Sequence, residues 1–147
     1  MLQKQIEKEF IEAYKAKEVL KKNTLGILKS KITEWKASKG NANKEILDND
    51  IISIIASEVK KRNQAIEIYK TNSSDIAIEN AEKEEAELVI LMQYLPKQMS
   101  TDEIIIEIDF IKAKLAEGAR LMPVVMKHFN ENFKGQFDNK KLQELLK

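Results

Sequence analysis

The stretch "ELVILMQYLPKQMSTDEI", Glu87 to Ile104, decides how the rest of the chain is read. An apolar run at helical spacing ends in Tyr94-Leu95-Pro96, because proline disfavours the α-conformation in the residue before it. A few residues on, Ser100 and Glu103 form S-x-x-E, a pattern whose side chains satisfy two free backbone donors at a helix start. One helix therefore stops at Leu95 and another begins near Ser100. Residues 97–99 carry no signal that fixes them, so they are expected to keep some freedom.

Upstream of the break the apolar spacing supports four helices. The first runs from about Leu2 to Leu20, with Leu2, Ile6, Phe10, Ala13 and Val19 near one face. A second follows Asn23-Thr24 and carries Leu25, Leu28, Ile32 and Trp35. It ends in "SKGNANKE", a loop by its glycine and asparagines. The third opens at "DNDIIS" with Asp48 or Asp50 as N-cap. Its stripe is Ile52, Ile55, Val59, Ile66 and Tyr69, interrupted by Lys60-Lys61-Arg62. Ser73 or Ser74 caps the fourth, from Asp75 to Tyr94, with Ala77, Ala81, Leu88, Leu91 and Leu95 on one face.

Downstream, Ile104, Ile105, Ile108, Ile111 and Leu115 give a fifth helix, stopped by Gly118. Pro123 sits in the first turn of a sixth, with Val125, Met126, Phe129 and Phe133, and Gly135 ends it. Asp138 caps a short seventh holding Leu142, Leu145 and Leu146. The expected fold is all-α: a four-helix N-terminal part, residues 1–96, then a small three-helix C-terminal part, residues 97–147. With only 4 glycines and 2 prolines, the composition favours long helices over many short strands.

Composition also narrows function. The absence of cysteine excludes disulfides, thiolate metal sites and cysteine nucleophiles, and suits a cytoplasmic protein. No uncharged apolar run approaches the roughly 18 residues of a membrane span, and the charged start "MLQKQIEKEF" has no signal-peptide core. The net charge of +1 advertises no polyanion partner globally, so a nucleic-acid surface requires segregated charge.

No catalytic constellation, cofactor motif or metal-ligand spacing stands out. "NTLGILKSK" lacks the second glycine and the Gly-Lys-Ser/Thr ending of a phosphate loop. His128, the lone histidine, has no second ligand at metal spacing, so it reads as a surface or rim residue, with a phosphate contact as the functional alternative. Glu82, Glu84, Glu85 and Glu87 read as a solvated helix face rather than a metal cluster. Two basic features are more suggestive. Lys60, Lys61 and Arg62 fan around one helix, and Lys127, Lys134, Lys140 and Lys141 gather near the chain end, the last two in a helix's first turn where free N–H groups favour phosphate. Solubility is the plain alternative for both.

The segment "SEVKKRNQAIEIYKTNSSDIAIENAEKEEAELVILMQYLPKQMSTDEI" resembles the central signature of the GatB/YqeY domain family. "YKAKEVLKKNTLGILKSKI" is similar to that family's opening, and "VMKHFNENFKGQFDNKKLQELL" to its close, so the likeness runs along the whole chain. Gly26 departs from it, standing where members usually carry arginine, and Pro123 stands where glycine is common. The resemblance implies a relation to the tail of GatB, a subunit of the amidotransferase that makes glutaminyl- and asparaginyl-tRNA. That tail engages tRNA, while the chemistry lies elsewhere. It also carries the label of a carbon-nitrogen ligase with glutamine as amide donor, for which the residues offer neither a glutaminase nucleophile nor a nucleotide site. The expectation is a non-catalytic module without cofactor, partnered by tRNA or another structured RNA through Lys127, Lys134, Lys140 and Lys141, then Lys60, Lys61 and Arg62. The alternative is an adaptor docking on amidotransferase or synthetase subunits. Neither membrane nor DNA is an expected partner.

Overall fold

The computed structural model describes residues 1–38 and 40–147, and among them every regular element is an α-helix. The helices are α1 (Leu2–Lys15), α2 (Val19–Ala37), α3 (Asp48–Lys70), α4 (Asp75–Met92), α5 (Thr101–Ala113), α6 (Leu121–Asn132) and α7 (Asn139–Leu145). The chain forms two compact units, Met1–Leu95 and Pro96–Lys147.

In the first unit α1 packs on α2, and α3 on α4. The core gathers Ile6 from α1, Leu25, Leu28 and Ile32 from α2, Ile51 and Ile55 from α3, and Leu91 and Tyr94 from the end of α4. Four sequence expectations change in this unit. The first helix stops at Lys15 rather than near Leu20, because Lys17 takes a left-handed backbone at φ 59°. Glu18 N–H donates to the Ala13 carbonyl at 3.0 Å and Lys17 N–H to that of Tyr14 at 3.3 Å. This is the two-bond closure that ends many helices, with lysine where glycine is usual. Thr24, expected in a break, lies within α2, where its buried hydroxyl donates to the Leu20 carbonyl at 2.9 Å.

The start of α3 also differs. Leu47 holds the N-cap position, and Asp50 serves it from N3 by accepting the Leu47 N–H at 2.9 Å. Asp48 accepts the Leu2 N–H at 2.9 Å and so ties α1 to α3. The buried stripe of α3 keeps the expected Ile55 and Ile66, but Ile51 and Glu58 take the places expected of Ile52 and Val59, and Arg62 joins them. At 3.6 residues per turn, Glu58 and Arg62 fall on the apolar face and continue it. At the start of α4, Ser74 accepts the Ala77 N–H at 3.2 Å, as its sequence suggests.

The second unit is built around Ile104, Ile108 and Ile111 of α5, Val125 and Phe129 of α6, and Leu142 of α7. Phe129 is fully buried, with Phe133 and Phe137 at ring separations of 5.5 and 5.3 Å. Ser100 and Glu103 form the expected reciprocal cap: the Ser100 hydroxyl accepts the Glu103 N–H at 3.1 Å, and the Glu103 carboxylate accepts the Ser100 N–H at 3.3 Å. Residues 97–99 are less free than the sequence suggests. The Gln98 amide donates to the Gly135 carbonyl at 2.6 Å, and Met99 N–H donates to the Gln136 carbonyl at 2.7 Å. Pro96-Lys97-Gln98-Met99 is thus laid against the loop after α6 before α5 begins.

Candidate nucleic-acid interface

Charge in the second unit is divided along the chain. Residues 97–119, which include α5, carry three basic and five acidic side chains, while residues 120–147, which include α6 and α7, carry six basic and three acidic ones. Lys127 is exposed on α6, Lys134 is exposed just past its end, and Lys140 and Lys141 are exposed in the first turn of α7. These are ammonium groups on flexible stems, suited to phosphate as point charges.

The backbone at the start of α7 contributes less than its position suggests. Asp138 accepts the Lys140 N–H at 3.1 Å, so a carboxylate already occupies the place a phosphate would take. His128 faces inward from α6. Its Nε2 lies 4.0 Å from Glu107 on α5, and its ring packs on Phe133 at 5.8 Å. It is a rim residue that joins α5 to α6.

The Lys60, Lys61 and Arg62 set divides in the same way. Lys60 is exposed, and Lys61 keeps 60% of its side chain exposed while its ammonium stands 3.6 Å from Glu58. Arg62 is buried, only 8% exposed, and meets the chain's own carboxylates. Its Nη1 lies 3.0 Å from Glu58, and its Nε lies 3.3 Å from Glu87 and 3.9 Å from Glu84. The acidic side of α4 is therefore not wholly solvated: Glu84 and Glu87 turn toward α3, and Glu85 pairs with Lys70 at 3.0 Å. The guanidinium fills the centre of this group, and no cluster among the described residues is arranged to hold a metal ion.

A further basic surface lies outside the sequence expectations. Residues 15–31, spanning the turn from α1 to α2, carry six lysines and one glutamate. Counting charge in windows finds it, because α4 in the same unit is the reverse, with six acidic side chains and one lysine over residues 75–95. Among the described residues, no helix is long and apolar enough to cross a membrane.

The chain matches the family described as YqeY-like protein over residues 3–147. It is also 28% identical over 99 residues to an uncharacterized protein of Schizosaccharomyces pombe, a match spanning 67% of this chain and 76% of that relative. The matched span takes in the helix break, the capped start of α5 and the basic end of the chain together, and the chain belongs to the YqeY-like protein family.

Proposed function

We propose that this protein is a non-catalytic RNA-binding module, and that its C-terminal unit holds tRNA or a similarly structured RNA by its phosphates. The observation that carries this reading is the segregation of charge within the C-terminal unit, where residues 120–147, which include α6 and α7, are basic and residues 97–119, which include α5, are acidic. Double-helical RNA offers side chains little sequence to read, so shape and phosphate contact dominate such binding. Lys127, Lys134, Lys140 and Lys141 make the principal contacts, with Lys60 and Lys61 second. Arg62 contributes through the stability of α3 and α4, since three glutamates of its own chain surround it. The resemblance to the amidotransferase tail supports this class of partner.

The test is tRNA binding by the full chain at two salt concentrations. Lys140→Glu combined with Lys141→Glu weakens binding and flattens the salt dependence by roughly one unit of slope per lost contact. Equal binding of tRNA and an unrelated polyanion would remove tRNA recognition as the role.

A second reading has its own observation. The outer side of α5 leaves Ile106 67% and Phe110 53% exposed, one turn apart. Such a pair suits an adaptor that docks on an amidotransferase or synthetase subunit. Ile106→Glu would then abolish capture of that subunit and leave tRNA binding unchanged, whereas the RNA reading expects no such subunit to be captured.

A further inference from the structure

Across the seam between α1 and α2, two lysines lie over two aromatic rings. Lys29 Nζ stands 4.3 Å from the Phe10 ring centroid, and Lys22 Nζ stands 5.9 Å from that of Tyr14. Phe10 and Tyr14 are one turn apart on α1, and their partners are two turns apart on α2, so the helices run antiparallel with these pairs as rungs. Gly26 sits between the rungs, its α-carbon side facing the Phe10 ring. Tyr14 is not part of the core: 65% of it is exposed. Lys15 and Lys17 are exposed beside it, and Lys21 is half-buried in the first turn of α2.

Two features argue that this is more than a soluble surface. Charge kept only for solubility is interspersed, yet here the lysines gather on the α1–α2 side of a unit whose α4 is acidic. A large aromatic ring left open among cations is also the arrangement by which proteins take unpaired nucleic acid, with bases stacked on the ring and phosphates on the lysines. A membrane surface is a poorer fit. A helix that lies in a lipid interface needs a free apolar face; the main stripes of α1 and α2 go to the core through Ile6, Leu25, Leu28 and Ile32, which leaves Ile11, Val19, Leu20 and Ile27 as the hairpin's exposed large aliphatic side chains.

We propose that the α1–α2 hairpin is a second RNA-contacting surface, one that takes an unpaired stretch by stacking a base on Tyr14 and holding adjacent phosphates on Lys15, Lys17, Lys21 and Lys22. This rests on the RNA reading above for the class of partner, and adds a separate site with a different preference, single strand over duplex.

The experiment is fluorescence anisotropy of the full chain with a labelled oligouridine of about 15 nucleotides, a blunt RNA duplex of equal length, and phosphatidylserine vesicles as competitor. Tyr14→Ala weakens oligouridine binding by about fivefold or more, Tyr14→Phe leaves it near wild type, and duplex binding does not respond to either. Lys21→Glu combined with Lys22→Glu weakens oligouridine binding and lowers the salt slope by about 0.7 per lysine. The exposure of Tyr14 makes its variants safe for folding, and unchanged circular dichroism confirms it. Oligouridine binding that ignores Tyr14→Ala, or vesicles that displace the RNA through these same lysines, would overturn the proposal. Because Lys140 and Lys141 lie in the other unit, loss of tRNA binding in their variants with no effect at Tyr14 sinks this inference alone. The opposite pattern sinks the C-terminal reading alone.

Discussion

Arg62 reaches back one turn along α3 to Glu58, Nη1 to Oε2 at 3.0 Å, with both side chains more than nine-tenths buried. Glu87 and Glu84 approach the same guanidinium from α4. Neither charge of the pair would be tolerated there alone, since a buried ion without its partner keeps the full cost of leaving water. Arg62→Ala is expected to destabilise the protein by about 3–5 kcal/mol in urea unfolding followed by circular dichroism. Arg62→Lys should recover only part, because a point charge cannot serve carboxylates on two helices as a planar fork does. Replacing Arg62 and Glu58 together by leucine should be milder than Arg62→Ala. A loss below about 1 kcal/mol for Arg62→Ala would show a pair of the exposed, weak kind.

Ser100 and Glu103 close the N-terminus of α5 reciprocally. Ser100→Ala removes the acceptor for the Glu103 N–H and is expected to cost about 1 kcal/mol, while Ser100→Asp stays close to wild type. Hydrogen exchange reads this directly. The Glu103 amide should exchange faster in the alanine variant and remain protected in the aspartate one; identical protection in all three would deny the cap its role.

Lys17 turns the chain between α1 and α2 with φ 59°, a region where a β-carbon crowds the following carbonyl. The two hydrogen bonds that close α1 hold it there. Glycine has no such crowding, so Lys17→Gly is expected to raise stability by about 0.5–1 kcal/mol despite its freer unfolded chain. Lys17→Val should lower it, since β-branching is least compatible with positive φ. Thermal melts that place valine level with glycine would count against the strained turn.

Features set by local chemistry were legible in the sequence. Proline at position 96, the Ser100–Glu103 cap and the Ser74 cap act within a turn of themselves, and the stripes Leu25-Leu28-Ile32 and Ile104-Ile108-Ile111 repeat at helical period. Lys17 was not legible, because the residue that adopts the left-handed turn carries no glycine signal. Arg62 reads as surface by its chemistry and becomes buried only when α4 brings Glu84 and Glu87 to it. Gln98 reads as a free linker residue because its partner, Gly135, lies 37 positions away. In the candidate interface, the exposure of Lys134, Lys140 and Lys141 follows from helix-end positions. Asp138 was readable as a cap as well, yet that same cap takes the backbone donor a phosphate would use.

Tyr94, at the end of α4, brings its hydroxyl into the first unit's core beside Glu9 of α1. Burial first, and then the Glu9 carboxylate as hydrogen-bond partner and negative charge, hold the phenol well above its ordinary value of 10.0. The folded state therefore keeps the proton longer than the unfolded chain does. Stability from the neutral phenol is complete below the unfolded value, near pH 10, and is lost as pH rises toward the folded one, by up to about 1.4 kcal/mol per pH unit. Urea unfolding between about pH 9 and pH 11 should show wild type falling more steeply than Tyr94→Phe, which has no phenol proton to lose. Glu9→Gln should also soften the fall, since it removes the negative charge while burial remains. If wild type and Tyr94→Phe lose stability in parallel over that range, Tyr94 ionises as freely folded as unfolded, and the buried Glu9 contact has no hold on it.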